Sequence, residues 1–265
     1  MVVDRDVVEL ATRLDASDLD PGSAFVRFDR QDSGCVSYGI DVDGHRWFVK
    51  TATSTDAAAS LENALRVHDR CQHPAIVSPV RRLRMPTLTL VYPWRNGTVL
   101  NHATIAGSNR SALERFHQLP VQVIENAIAT VLDAHLEIAR RGLVAVDFYD
   151  GCLLYDFDRD EMWLIDLDEY RPGPFVVNVD RLPGSTRYMA PEEFVRGAVI
   201  DERTTVFGLG RMIQHLLTSH EGWRGTPRQR AVAVRATDPD PVSRYETVAV
   251  LFDTWTATSD HPPAR

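Results

Sequence analysis

Apolar and polar positions alternate strictly between residues 36 and 42. Val36, Tyr38, Ile40 and Val42 are separated by small or polar residues, the period-two mark of a half-buried strand. Asp43-Gly44 follows, a dipeptide suited to a two-residue hairpin turn, and "HRWFVKT" returns as the partner strand with Phe48 and Lys50 on one face. "STDAAASLENALRVHDR" then changes to a helical pattern, with Ser54 or Thr55 as its cap. "HPAIVSPV" ends that helix and "TLTLVYPW" alternates as a further strand, before Asn96-Gly97 breaks the pattern. Beyond residue 100 the period lengthens. "PVQVIENAIATVLDAHLEIARRG" carries apolar residues at 124, 128, 131, 132, 136 and 139, a helical stripe opened by Pro120 and closed by Gly142. Two short strands come next, "CLLYD" and "MWLIDLD", joined by "FDRD". A loop rich in Pro and Gly, "RPGPFVVNVDRLPGS", leads to "TTVFGLGRMIQHLLTS" and to helices ending near residue 255.

This order predicts an α+β fold. Residues 25–95 form a small antiparallel sheet with one helix, and residues 96–255 a larger, mainly helical part with an embedded hairpin. An N-terminal extension (1–24) and a tail (256–265) flank them.

Composition narrows the function classes. With 265 residues, 44% of them hydrophobic, the chain can bury a proper core, and a charged fraction of 25% is that of a globular protein. A net charge of −8 argues against a nucleic-acid binder that works by neutralising phosphates. Cys35, Cys71 and Cys152 are odd in number and widely spaced, which suits reduced thiols better than a disulfide framework or a zinc site. The acidic start "MVVDRDVVELATRLD" has no apolar run of a signal peptide, and no stretch reaches eighteen apolar residues. The expectation is a cytoplasmic protein that neither crosses a membrane nor binds nucleic acid. One residue stands out: Lys50 is the single lysine among 29 basic residues.

From about residue 25 to 255 the chain resembles a eukaryotic-type Ser/Thr protein kinase domain, as a divergent member. "FVK" is similar to the V-A-I-K strand, and "HPAIV" to the turn after the first helix. "LVYPWRNGTVL" resembles the hinge, "GLVAVDFYDGCLLYD" the catalytic loop, and "LIDLDEY" the D-F-G metal site. "GSTRYMAPEEF" is the most specific match, a near-complete A-P-E segment. The resemblance implies a bilobal kinase-like fold and transfer of the γ-phosphate of ATP to a hydroxyl, with Mg2+ or Mn2+. It assigns Lys50 to the α/β-phosphates, where a compact ammonium suits a narrow pocket better than a guanidinium fork. Glu62 would hold that lysine, and Gly34 and Val36 would cover the nucleotide. Pro93 C=O and Arg95 N–H would meet the adenine, Asp166 would ligate the metal, and Asp147 would receive the hydroxyl proton. Glu192 would pair with Arg244, and the A-P-E segment points to a protein hydroxyl as acceptor.

The chain departs from the family where chemistry is concentrated. Ala145 and Val146 replace the H-R of H-R-D, so no arginine is left to receive an ordering phosphate. Tyr149 stands in place of a lysine near the γ-phosphate. Cys152 replaces the asparagine of the second metal site, and a thiol is a poor ligand for a hard cation. Only Gly34 remains of the glycine-rich loop, with Asp29 and Gln31 at other glycine positions, and Thr205 replaces an anchoring aspartate. Two readings follow. In one, the enzyme is active and Asp168 or Asp150 supplies the missing carboxylate. In the other, it is a pseudokinase that binds nucleotide or scaffolds a partner. The D-x-D pair of Asp166 and Asp168 also resembles that of small-molecule kinases on this fold.

Overall fold

The computed structural model describes residues 5–28, 33–84 and 86–258. Helix α1 (Arg5–Arg13) leads into strands β1 (Val26–Phe28), β2 (Cys35–Val42) and β3 (His45–Ala52). Helix α2 (Thr55–Arg70) follows, then β4 (Arg81–Arg84) and β5 (Leu88–Pro93). These strands form one antiparallel sheet in the order β1-β2-β3-β5-β4. The β2–β3 turn falls at Asp43-Gly44, where φ is 53° and 78°, the left-handed geometry that favours Asp and Gly. Ser54 caps α2 by accepting from the Ala57 N–H at 3.1 Å.

The register sorts the sheet into two faces. Ser37 lies opposite Lys50, Gly39 opposite Phe48, and Phe48 opposite Tyr92. Directly paired residues share a face, so Cys35, Ser37, Phe48, Lys50, Leu90 and Tyr92 point one way. That face packs on Ala57, Leu61 and Ala64 of α2. Val36, Tyr38, Ile40, Trp47, Val49 and Val91 point the other way, onto Ala11, Leu14 and Leu19. The N-terminal extension is therefore part of the core: α1 and the turn after it close the back of the sheet. The Tyr38 hydroxyl fixes that turn by donating to the Leu19 carbonyl at 2.8 Å.

In residues 96–258 helices make up most of the regular structure. Strands β6 (Thr98–Val99), β7 (His102–Thr104) and β8 (Gly107–Asn109) precede α3 (Ser111–Phe116) and α4 (Val121–Arg140). Then come β9 (Leu143–Val144), β10 (Leu153–Asp156), β11 (Glu161–Leu164), β12 (Arg171–Pro172), β13 (Phe175–Val176) and β14 (Val199–Ile200). Helices α5 (Glu202–Leu217), α6 (Pro227–Ala236) and α7 (Val248–Thr256) complete seven α-helices among the described residues. The α4 stripe packs as its period requires: Ile124, Ile128, Val131 and Leu132 are buried, each stabilising the core by about 1.5–3 kcal/mol. Strand β6 joins the β10–β11 hairpin through Val99 opposite Leu154. Gly97, at φ 129°, makes that approach possible, because a Cβ there would stand 2.7 Å from the Tyr155 carbonyl oxygen. No helix among the described residues is long and apolar enough to cross a membrane.

Candidate functional site

The sheet and the β10–β11 hairpin meet at the lone lysine. Lys50 Nζ donates to Asp166 Oδ1 and Asp168 Oδ2, both at 2.6 Å. Both carboxylates therefore meet one ammonium, while Leu167 between them is buried in the core. Burial disfavours the Lys50 ammonium, but Asp166 and Asp168 outweigh it and raise its pKa well above the ordinary lysine value. The same ion pair does not hold Asp168 down. Desolvation lifts its pKa to about 6, because one ammonium shared with Asp166 returns less than burial costs the carboxylate. Asp166 sits at φ 63°, in the left-handed region that aspartate enters more readily than most residues with a side chain.

Helix α2 holds this segment in place. Asn63 Nδ2 donates to the Asp168 carbonyl at 2.8 Å and to the Tyr170 carbonyl at 2.6 Å, and Ser60 Oγ donates to Glu169 Oε1 at 2.9 Å. Tyr170 is buried and donates its hydroxyl to His135 Nε2 at 2.9 Å, while His135 Nδ1–H meets the Val131 carbonyl at 2.8 Å. These two bonds fix a neutral imidazole, in keeping with a His135 pKa that burial lowers to about 4.

Asp147 lies on the loop between β9 and β10, again left-handed at φ 59°. Two contacts fix this loop. The Ala145 N–H donates to Thr205 Oγ1 of α5 at 3.0 Å, so the threonine anchors the loop where the sequence suggested a lost anchor. Cys152 Sγ donates to the Asp147 carbonyl at 3.4 Å. Burial, then the charges of Asp166 and Asp147, push the Cys152 thiol well above its ordinary pKa. It stays a protonated donor, which agrees with reading Cys152 as a degenerate position of the second metal site. Asp150 is likewise no spare ligand, because both of its oxygens are bound by Arg187, at 2.7 and 2.8 Å.

Other expectations are corrected by which way side chains face. Glu62 does not reach Lys50: its carboxylate lies 3.1 Å from Arg84 and 3.5 Å from Arg82, on another side of α2 from Asn63. Val36 sits on the back face with Tyr38 and Ile40, and Cys35 and Ser37 share the Lys50 face instead. Gly34, at φ 65°, accepts from both the N–H and the hydroxyl of Thr53, at 2.9 and 2.7 Å. Asp29 and Gln31 lie outside the described residues. Pro93 pairs with Trp47, and the flanking Trp94 N–H donates to the Arg46 carbonyl at 3.1 Å. That is a position where the ladder needs no N–H, so proline costs it nothing. The Arg95 guanidinium stacks 4.3 Å from the Trp163 ring. Phe48 is placed on the Lys50 face by the strand pattern but is given no role there. It shares the Lys50 face and packs on Tyr92 and Phe28, with ring centroids 6.0 and 6.2 Å away.

Glu192 and Arg244 do come together. Arg244 bonds both Glu192 oxygens, at 2.6 and 2.9 Å, and the carbonyls of Arg203, Asp238 and Pro239. Despite burial, Arg244 and Thr204 hold the Glu192 pKa below the usual value. Beside it, the buried Glu193 accepts from the Ala190 N–H at 2.6 Å. Burial lifts its pKa to about 8, with smaller contributions from Glu192 and Asp147. Glu193 and Asp147 line a cavity of about 10 Å³ with Tyr188, Thr204 and Thr205, room for about one water molecule.

Among the described residues no group of three or more His, Cys, Asp and Glu side chains is arranged to hold a metal ion. One donor does fit a hard cation. Asp166 is 42% exposed at its side chain and spends only Oδ1 on Lys50, leaving the second oxygen. This suits an ion that brings phosphate oxygens and water as its remaining ligands. No model of a known protein family matches the chain, and no curated protein matches it.

Proposed function

We propose that this chain is a divergent protein-kinase-like phosphotransferase, bilobal, which moves the γ-phosphate of ATP to a hydroxyl. The observation that carries the reading is the Lys50 cluster. The only lysine of the chain is buried on the sheet, in contact with two carboxylates at the exit of the β10–β11 hairpin. Asp166 would hold Mg2+ or Mn2+, which when bound would neutralise phosphate charge. Lys50 exchanges part of its carboxylate contact for the α/β-phosphates and keeps its charge, because the acids beside it stabilise the ammonium. Asp147 receives the proton of the attacking hydroxyl as its oxygen bonds to phosphorus, and the bond to the β-phosphate breaks to release ADP. The A-P-E segment favours a protein hydroxyl as acceptor, by fold analogy alone.

A second reading is a nucleotide-binding or scaffolding module without transfer, and Phe48 favours its scaffolding form. Its ring occupies the cleft face beside Lys50, against Tyr92. One experiment separates the two: thermal stability with ATP and Mg2+ or Mn2+, then transfer of labelled γ-phosphate to the chain, to added protein and to small hydroxyl compounds. Transfer abolished by Asp147→Asn and Asp166→Asn supports the enzyme, and metal-dependent stabilisation without transfer supports the module. Absence of both sinks any role for ATP.

A further inference from the structure

One carboxylate ties the Asp147 loop to the segment that precedes Glu192. Asp150 has no solvent exposure. Arg187 Nη2 donates to both of its oxygens, at 2.7 and 2.8 Å, and Asn101, just after β6, donates Nδ2 to Oδ1 at 2.9 Å. Three stretches of chain therefore meet at one buried charge.

Arg187 is fixed from its other side as well. Arg211 of α5 donates Nε to the Arg187 carbonyl at 2.7 Å, and the Arg187 guanidinium lies 5.3 Å from the Tyr188 ring. Tyr188 is buried, stacked on His215 at 4.9 Å and edge-on to Phe148 of the Asp147 loop at 6.2 Å. The Tyr188 and Met189 N–H groups both donate to the Ser185 carbonyl, at 2.8 and 3.1 Å. A buried carboxylate persists only when compensated, and the charge-assisted bonds from Arg187, with that from Asn101, supply the compensation here. The polarity is the reverse of a phosphate-ordered segment, which brings the anion to a cation on the loop. Here the loop supplies the anion, Asp150, and the segment supplies the cation, while Val146 leaves no arginine to receive a phosphate.

We infer that Asp150 is a positioning residue that orders residues 181–190 from within the chain, so that the site is assembled without phosphorylation of Ser185 or Thr186. Its effect on turnover rests on the phosphotransferase reading, but its effect on order does not. Backbone hydrogen exchange followed by mass spectrometry tests the order directly. Asp150→Asn and Arg187→Gln should each speed exchange across 181–190 at least tenfold and leave α4 unchanged. Should Asp150→Asn fail to fold, Arg187→Gln carries the test, since that side chain is 24% exposed.

In transfer assays both variants should lose at least tenfold in kcat, with the stabilisation by ATP retained. Wild-type chain shown by mass spectrometry to be unphosphorylated should be fully active, and so should the Ser185→Ala/Thr186→Ala variant. Exchange within twofold of wild type in Arg187→Gln would overturn the inference, as would wild-type transfer that requires phosphate on Ser185 or Thr186. Faster exchange in the variants beside a wild-type chain without transfer would overturn the phosphotransferase reading alone and support the ordering role.

Discussion

Replacing Lys50 by methionine leaves Asp168 buried with no cation, and the consequence depends on pH in a way that can be worked out. In the wild type, burial already lifts the Asp168 pKa to about 6, with Lys50 as the main opposing influence. Lys50→Met removes that influence and keeps the desolvation and the repulsion from Asp166, so the folded-state pKa climbs further. A carboxyl with a folded pKa above its unfolded value binds more protons when folded. Stability therefore falls as pH rises from near 4 to that folded pKa. For the wild type the fall ends near pH 6, and for the variant it continues beyond. Each tenfold tightening of the proton costs the variant about 1.4 kcal/mol at pH values above its folded pKa, so the expected loss at high pH is a few kcal/mol. Loss of one partner from a buried ion pair gives the same scale, about 3–5 kcal/mol. At pH 5 Asp168 is largely protonated in both proteins, and the substitution should cost about 1 kcal/mol or less. Urea unfolding followed by tryptophan fluorescence at pH 5 and pH 8 measures both values. Glu193 titrates alike in both proteins and cancels from the difference. An equal loss at the two pH values would refute this account. So would a pH-dependent loss that survives when Asp168→Asn is present in both proteins compared.

Four further outcomes follow from the same contacts. Arg244→Lys gives up the fork on Glu192 and most of five hydrogen bonds, and should destabilise by about 3 kcal/mol in chemical denaturation. Thr205→Val leaves the Ala145 N–H without its partner and should cost about 1–3 kcal/mol, with faster exchange at that amide. Glu193→Gln removes a carboxyl whose pKa is raised to about 8. The wild type should lose stability as pH rises from about 4.5 to about 8, and the variant should show a smaller loss across that window. Phe48→Ala clears the cleft face beside Lys50 and should tighten ATP at least tenfold by calorimetry. Unchanged or weaker binding would mean that Phe48 does not stand in the way of a base.

The elements that carry strong local signals were legible in the sequence. Asp43-Gly44 turns as its residue types require and the α4 stripe packs where its spacing puts it, whereas the Arg244–Glu192 pair was implied by the resemblance alone. What the sequence did not disclose is orientation. Glu62 and Asn63 are neighbours on α2, yet only Asn63 faces Asp168. The choice rests on how the helix rolls on the sheet, which no single-chain pattern encodes. Val36 failed for the same reason, since a one-residue difference in register decides a strand's face. Asn63 did leave a faint mark, because an asparagine inside a helix competes with the backbone and needs a reason to be there. Thr205 left none: a hydroxyl can accept an N–H bond as a carboxylate does, and substitution tables hide this.

The solitary lysine also makes the chain its own reporter. A protease that cuts only after lysine has one bond to attack, between Lys50 and Thr51, in the middle of β3 with β2 and β5 on either side. That bond cannot enter a protease while the strand is paired on both edges. One clean cut would register the opening of the sheet and nothing else, and its rate would follow the population of the open state. Two fragments on a gel would thus read the stability of the lysine-bearing sheet without a label, a dye or a substitution.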